Sequence, residues 1–252
     1  MNRESMTILI HESIARDTYR LVLKGKLVDH IENPGQFVHV LIDGFYLRRP
    51  VSIADYDRKD GTVTLLYKIL GEGTGALSKK KVGDQLDVLG PGGQGFPLQS
   101  ISTKQALIIG GGIGVPPLYS LAKHLHKQGV TIISVLGFQS ADDSFLLKEF
   151  EELGELYIAT DDGSLGRKGL VTDLLSELEG TFDTYFTCGP TPMLKAVSER
   201  LSDMPGYISM EERMGCGIGA CFACVVESND QKGYRRICCD GPVFRAEEVV
   251  LS

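Results

Sequence analysis

The chain has no surplus of positive charge: 26 Lys and Arg stand against 33 Asp and Glu, a formal net charge of −7. Neutralising a phosphate backbone needs the opposite balance, so nucleic-acid binding is not expected. Nowhere does the sequence approach the roughly 18 consecutive apolar residues of a membrane-spanning helix, and no basic stretch leads into an apolar one near Met1. The expectation is therefore no signal peptide, no membrane span and a cytoplasmic location. Apolar residues at 42% and charged residues at 23% exclude disordered, collagen-like and coiled-coil classes. What the chain does have is 30 glycines in 252 residues, well above an average of about 7%, and six cysteines. Glycine without a collagen period marks places where backbone turns tightly or approaches a ligand. In a reducing compartment, six cysteines suggest metal ligation or redox chemistry before a disulfide framework.

At roughly 150 residues per domain, the length suggests about two domains. In residues 1–100, Met6–Ile10, Thr18–Leu23, Gln36–Ile42, Pro50–Tyr56, Thr62–Leu70 and Gln85–Leu89 read as short strands broken by turn residues such as Asn33-Pro34-Gly35. That pattern favours a six-stranded antiparallel barrel. The stretch Gly90-Pro91-Gly92-Gly93-Gln94-Gly95 reads as a boundary, either a plain linker or a loop pressed against a ligand. Residues 101–206 alternate strand and helix: apolar Ala106–Ile109, a helix from Pro116 with Leu118, Leu121 and Leu125, then apolar Thr131–Leu136. Repeated βαβ units predict a doubly wound parallel sheet of four or five strands. Residues 207–252 form a Cys- and Gly-rich tail, too short and too poor in large apolar residues to hold a core unaided.

In that tail, Cys216-x4-Cys221-x2-Cys224 has the spacing of plant-type ligands for a 2Fe-2S cluster. Gly217, Ile218, Gly219 and Ala220 between them allow backbone to wrap closely and point N–H groups at sulfur. Zinc is the alternative, although its sites more often use two short C-x2-4-C knuckles. Spacing does not choose a fourth ligand between Cys238 and Cys239. Gly110-Gly111-Gly112-Ile113-Gly114 follows a strand and opens a helix, as a dinucleotide-binding turn does, with Val115 in the third glycine's place; a mere tight turn is the other reading. Cys188-Gly189-Pro190 occupies the equivalent place after another parallel strand, where ligands bind in such sheets, although Cys188 taken singly reads more readily as a buried small hydrophobe. No Arg or Lys lies between Gly137 and Asp143, where a ribose 2′-phosphate would sit, which favours NAD over NADP. In the barrel, Arg49 and Ser52 can hold a pyrophosphate by guanidinium fork and hydroxyl, and Gly71–Ser78 adds amide groups before a short helix. Alone, Arg49 would be read as a solvated basic turn. The histidines at 11, 30, 39, 124 and 126 show no ligand spacing and read as surface or structural.

Together the R-P-x-S of Arg49–Ser52, GGGIGVPPL and CGPTPM resemble the ferredoxin-reductase superfamily. The C-terminal EERMGCGIGACFACVV and RRICCDGPVF narrow the resemblance to the electron-transfer subunits of class 1B dihydroorotate dehydrogenases, over essentially the whole chain. Pro50 and Val51 stand where the wider superfamily often carries Tyr or Phe. The resemblance implies a Greek-key barrel that binds FAD through Arg49, Pro50, Val51, Ser52, Gly73, Thr74 and the backbone of Leu66, Tyr67 and Lys68. It implies NAD at Gly110, Gly111, Gly112, Ile113, Gly114, Cys188, Gly189 and Pro190, with Cys188 shaping the nicotinamide pocket. It selects Cys238 to complete Cys216, Cys221 and Cys224. It implies an FMN-containing dihydroorotate dehydrogenase catalytic subunit as partner, in a heterotetramer of two of each. Electrons would pass from that FMN through 2Fe-2S and FAD to NAD+, in pyrimidine (UMP) biosynthesis. A cluster moves single electrons, a nicotinamide takes two, and a flavin between them handles both. Hydride transfer needs no side-chain acid or base, so no catalytic residue is expected. The alternatives are an NAD(P)H:ferredoxin-type reductase subunit of another flavin and iron–sulfur complex, and a zinc-stabilised binding module.

Overall fold

In the computed structural model, which describes residues 1–251, the first six strands close a barrel. They are β1 (Asn2–Ala15), β2 (Thr18–Lys24), β3 (Phe37–Val40), β4 (Arg49–Asp57), β5 (Thr62–Lys68) and β6 (Gln85–Gly92). The order β1-β2-β5-β4-β3-β6 is antiparallel throughout, and β1 closes the ring by pairing with both β2 and β6. Alternation drives the closure: Met6 and Ile8, Leu21 and Leu23, Val63 and Leu65, Leu86 and Val88 all turn into one buried core. Each expected strand is present. β1 runs past Met6–Ile10 at both ends, where its residues are mostly exposed and carry no apolar period. A short helix, α1 (Glu72–Leu77), follows β5.

The chain then builds β7 (Gln105–Gly111), α2 (Val115–Lys127), β8 (Thr131–Phe138), α3 (Leu147–Glu151) and β9 (Gly154–Thr160). It continues with β10 (Arg167–Lys168), α4 (Val171–Leu175), β11 (Thr184–Cys188), α5 (Thr191–Arg200) and β12 (Gly206–Ser209). These strands pair in parallel in the order β10-β9-β8-β7-β11-β12. Apolar residues of the strands are buried on both faces, one against α2 and the other beside α4 and α5. Strand order reverses between β7 and β11, which makes the ends of those two strands the switch point of the sheet.

The tail adds a hairpin of β13 (Val225–Glu227) and β14 (Tyr234–Arg236), then β15 (Val243–Arg245), which pairs antiparallel with β12. The sheet therefore has seven strands, where four or five were expected. The tail does not stand alone either. Met210, Met214, Ile237 and Phe244 share a core with Phe37 of the barrel and with Leu194 and Ile208 of the parallel-sheet unit. Burial against both neighbours supplies what the tail is too small to supply itself.

Candidate cofactor sites

A cleft of about 410 Å³ opens beside the barrel. Pro50, Val51 and Ser52 of β4 and Leu66, Tyr67 and Lys68 of β5 line it, with Thr74 of α1. The Tyr67 ring turns into the barrel and stacks on Tyr19 at 5.6 Å. Arg49 and Gly73 stand one residue outside the lining and touch each other. The Arg49 guanidinium lies over Gly73, donates to the Leu47 carbonyl and sits 5.1 Å from the centre of the Phe45 ring. The far wall comes from Ile113 and from Met210, Glu211, Glu212, Arg213, Met214 and Pro242.

Glu211 to Met214 carry part of the family resemblance, but none of these tail residues was expected at the flavin site. They follow β12, at the C-terminal end of a parallel strand, which is a ligand-binding position. The signal was hidden because β12 is only four residues long and begins directly after Pro205. Glu211 is exposed into the cleft, and the mass of protein around it desolvates its carboxyl and raises the pKa.

A second cleft, also of about 410 Å³, lies over the switch point. Gly111, Gly112 and Ile113 line it at the end of β7, Phe138 and Gln139 at the end of β8, Asp161 after β9, and Pro190 and Met193 after β11. Thr18 and Lys68 come from the barrel. Lys68 and Ile113 belong to both clefts, so the two run into each other there.

Lys68 Nζ lies 3.1 Å from Asp143, whose carboxylate also accepts a 2.7 Å hydrogen bond from the Ser140 hydroxyl and faces Arg16 at 3.6 Å. Burial works to raise the Asp143 pKa, but Ser140, Lys68 and Arg16 outweigh it and hold the carboxyl below its ordinary value.

Four expected nucleotide residues, Gly110, Gly114, Cys188 and Gly189, lie under the floor of this cleft. Gly110 is buried in β7 and Gly114 in the turn after it, and the Gly114 backbone packs directly on that of Cys188 and Gly189. Cys188 is fully buried and lines neither cleft, contrary to the role expected of its side chain. It ends the central strand β11, paired on one side with β7 and on the other with β12. Burial, then the nearby Glu211, push its thiol well above the ordinary range. Gly189 is also buried, and the segment reaches the cleft through Pro190.

In the tail, the four expected ligands fall into two pairs. The Cys216 amide donates to Cys221 Sγ at 3.3 Å, and Cys224 faces Cys238, both buried. The Ile218 and Ala220 amides donate to Cys216 Sγ at 3.5 and 3.2 Å. Burial works to raise the Cys216 thiol, but the Ile218 amide, then the side chain and backbone of Cys221, then the Ala220 amide outweigh it and bring it down to about 7. The donor set fits a centre of two irons, each holding two thiolates, with backbone N–H groups on the sulfur. Among the described residues, no three His, Cys, Asp or Glu side chains converge as a single ion would require. Cys239 is half-buried and packs on Gly219. Phe37 joins the pieces: it lines the first cleft and shares a buried core with Cys224 and Cys238.

Comparison with known proteins bears directly on this arrangement. The family model described as the iron–sulfur cluster binding domain of dihydroorotate dehydrogenase B matches residues 211–250, and the oxidoreductase NAD-binding domain matches residues 108–199. A dihydroorotate dehydrogenase B (NAD(+)) electron transfer subunit from Geobacillus sp. (strain WCH70) is 52% identical over 100% of both chains. The one from Fusobacterium nucleatum is 47% identical, again over 100% of both. The chain belongs to this family of electron transfer subunits. It is an oxidoreductase component that works with 2Fe-2S, FAD and NAD and serves a catalytic partner subunit. A solved NADH-dependent reduced ferredoxin-NADP oxidoreductase, described in connection with flavin-based electron bifurcation, superposes with a TM-score of 0.88. It is 34% identical, over 98% of this chain and 90% of that one. No helix among the described residues is long and apolar enough to cross a membrane.

Proposed function

We propose that the chain carries electrons from the FMN of a dihydroorotate dehydrogenase catalytic subunit to NAD+, in a cytoplasmic heterotetramer of two subunits of each kind. The observation that carries this reading is the meeting of the two clefts at Lys68 and Ile113, with Phe37 linking the first cleft to the cysteine core. Residues 1–100 hold FAD, residues 101–206 hold NAD, and residues 207–252 hold the cluster while lending β15 to the sheet. Bound there, the three groups supply one-electron transfer, its conversion to two-electron chemistry, and hydride acceptance.

The chain's own residues bind and position. Arg49, Ser52 and Thr74 hold the flavin pyrophosphate by charge and hydroxyls, and the β5 backbone from Leu66 to Lys68 borders the ring. Gly111, Gly112 and Ile113 offer amides and a helix start to the nucleotide pyrophosphate, and Pro190 shapes the opposite wall. Cys216, Cys221, Cys224 and Cys238 are the cluster ligands. No side chain is assigned a proton-transfer role, since alignment of donor and acceptor is what hydride transfer requires. The absence of a cation near Phe138 and the presence of Asp161 make NAD+ the preferred acceptor.

Co-expression with the FMN-bearing partner, followed by metal, sulfide and flavin analysis and an assay of dihydroorotate-driven NADH formation, tests the whole reading. About two irons and two sulfides per FAD are expected. A complex that oxidises dihydroorotate but forms no NADH would refute the assigned route.

A further inference from the structure

His39 lies on β3, only 1% exposed, and among the described residues its Nε2 has no hydrogen-bond partner. A buried imidazole nitrogen left unpaired is costly, so a weak or longer contact to a nearby polar group is expected to compensate it. The nitrogen faces the backbone of Gly217, so closely that any side chain there would collide with it. Gly217 has φ +69°, a second reason for glycine at this place. It follows Cys216 directly, so the barrel touches the cluster loop next to its first ligand. Burial, then Arg48, push the His39 pKa down to about 4 against an opposing pull from the Gly217 backbone, the sign expected of a carbonyl near a ring N–H, and the ring is left neutral with one N–H to give.

The Gly217 carbonyl and the Ile218 N–H belong to one peptide group, and that N–H already donates to Cys216 Sγ at 3.5 Å. A donor on the carbonyl side would fix the peptide plane and polarise it, which strengthens the N–H bond to sulfur. Two residues before His39 on the same strand, Phe37 packs edge-on against its ring at 5.3 Å between centres and also lines the flavin cleft.

We propose that His39 is a positioning residue for the iron–sulfur cluster: its Nε2–H is donated to the Gly217 carbonyl and aims the Ile218 N–H at the Cys216 thiolate, which raises the cluster's reduction potential. A stronger N–H bond to sulfur favours the reduced, more negative cluster. The inference rests on Cys216 being a ligand, and iron content separates that premise from the inference itself.

The test uses the full chain purified with its partner subunit and an EPR-monitored redox titration of the cluster. His39→Leu, with its iron retained, is expected to favour oxidised over reduced cluster about tenfold at a fixed potential, which is about 59 mV lower for a one-electron couple. His39→Gln, which keeps an N–H donor, should recover more than half of that shift. A His39→Leu midpoint within twofold of the original, or His39→Gln displaced as far as His39→Leu, overturns the proposal. Should His39→Leu lose its cluster, 15N NMR of histidine-labelled unmutated protein decides instead. The proton should lie on Nε2 of His39, and the opposite tautomer overturns the assignment. Wild-type protein without iron would mean that the ligand assignment has failed instead.

Discussion

At the scale of single residues, the cofactor sites depend on a few groups whose chemistry was visible from residue type. Arg49 is held beside Gly73 and over the Phe45 ring, ready to pair with an anion. Losing a charge-assisted fork costs about 1.5–3 kcal/mol. Arg49→Ala should therefore bind FAD roughly tenfold to a hundredfold more weakly and leave gel filtration mostly without flavin; full flavin content would remove Arg49 from the site. Cys238 and Cys239 divide more sharply. Cys238 is buried against Cys224, whereas Cys239 is half-buried over Gly219. Cys238→Ala should lose the iron and its visible absorption, and Cys239→Ala should keep both; the reverse result moves the fourth ligand. Spacing could not choose between adjacent cysteines, because the choice depends on which side chain turns inward. Cys188 shows the opposite limit. Its motif sits at a binding position, but the thiol lies in the core on which α2 packs, and no one-dimensional pattern records that burial.

At the scale of elements, strands with an inward apolar period were legible and strands held by their neighbours were not. β6 alternates cleanly, β2 and β5 turn Leu21 and Leu23, Val63 and Leu65 inward, and the core strands β7 and β8 are almost wholly buried. β10 has two exposed residues, and β15 is three residues supplied by the tail. They are strands because β9 and β12 offer unpaired edges, a tertiary cause. The two turns at the switch point also depend on each other. Gly114 has φ −75°, which any residue adopts, so space alone demands glycine there. A Cβ at that position would lie 2.5 Å from the carbonyl carbon and oxygen of Cys188 and 2.6 Å from the Gly189 nitrogen, all backbone atoms with little freedom to retreat. Gly114→Ala should lose about 1–3 kcal/mol of stability as the turns separate. Its NAD+ KM should rise about tenfold, with FAD content unchanged. An unaltered KM would show that the contact does not shape the nucleotide site.

At the scale of the molecule, the function needs two clefts on different folding units to keep a fixed relation, and charge spans the seam. Lys68 and Arg16 belong to the barrel, and Asp143, which both of them face, belongs to the sheet unit; the Arg16 amide also donates to the Asp142 carbonyl at 2.8 Å. The Asp143 side chain is 5% exposed, but Lys68 and Arg16 are 25% and 52% exposed, so solvent screens much of the attraction. About 1–2 kcal/mol is the expected loss for Asp143→Asn, together with a weaker hold of Lys68 at the junction. Because the folded protein holds the Asp143 carboxyl below its ordinary pKa, the stabilisation is fully present above the unfolded value of about 3.9 and fades as pH falls through the folded one. Urea unfolding of both proteins across pH should give a constant difference at neutral pH that closes below about pH 3.9. A difference unchanged at acid pH would mean that the charge pairing contributes nothing to holding the seam. If the gap closes as expected, Lys68 stays in place throughout the neutral range, and the two clefts keep their alignment wherever NAD+ is reduced.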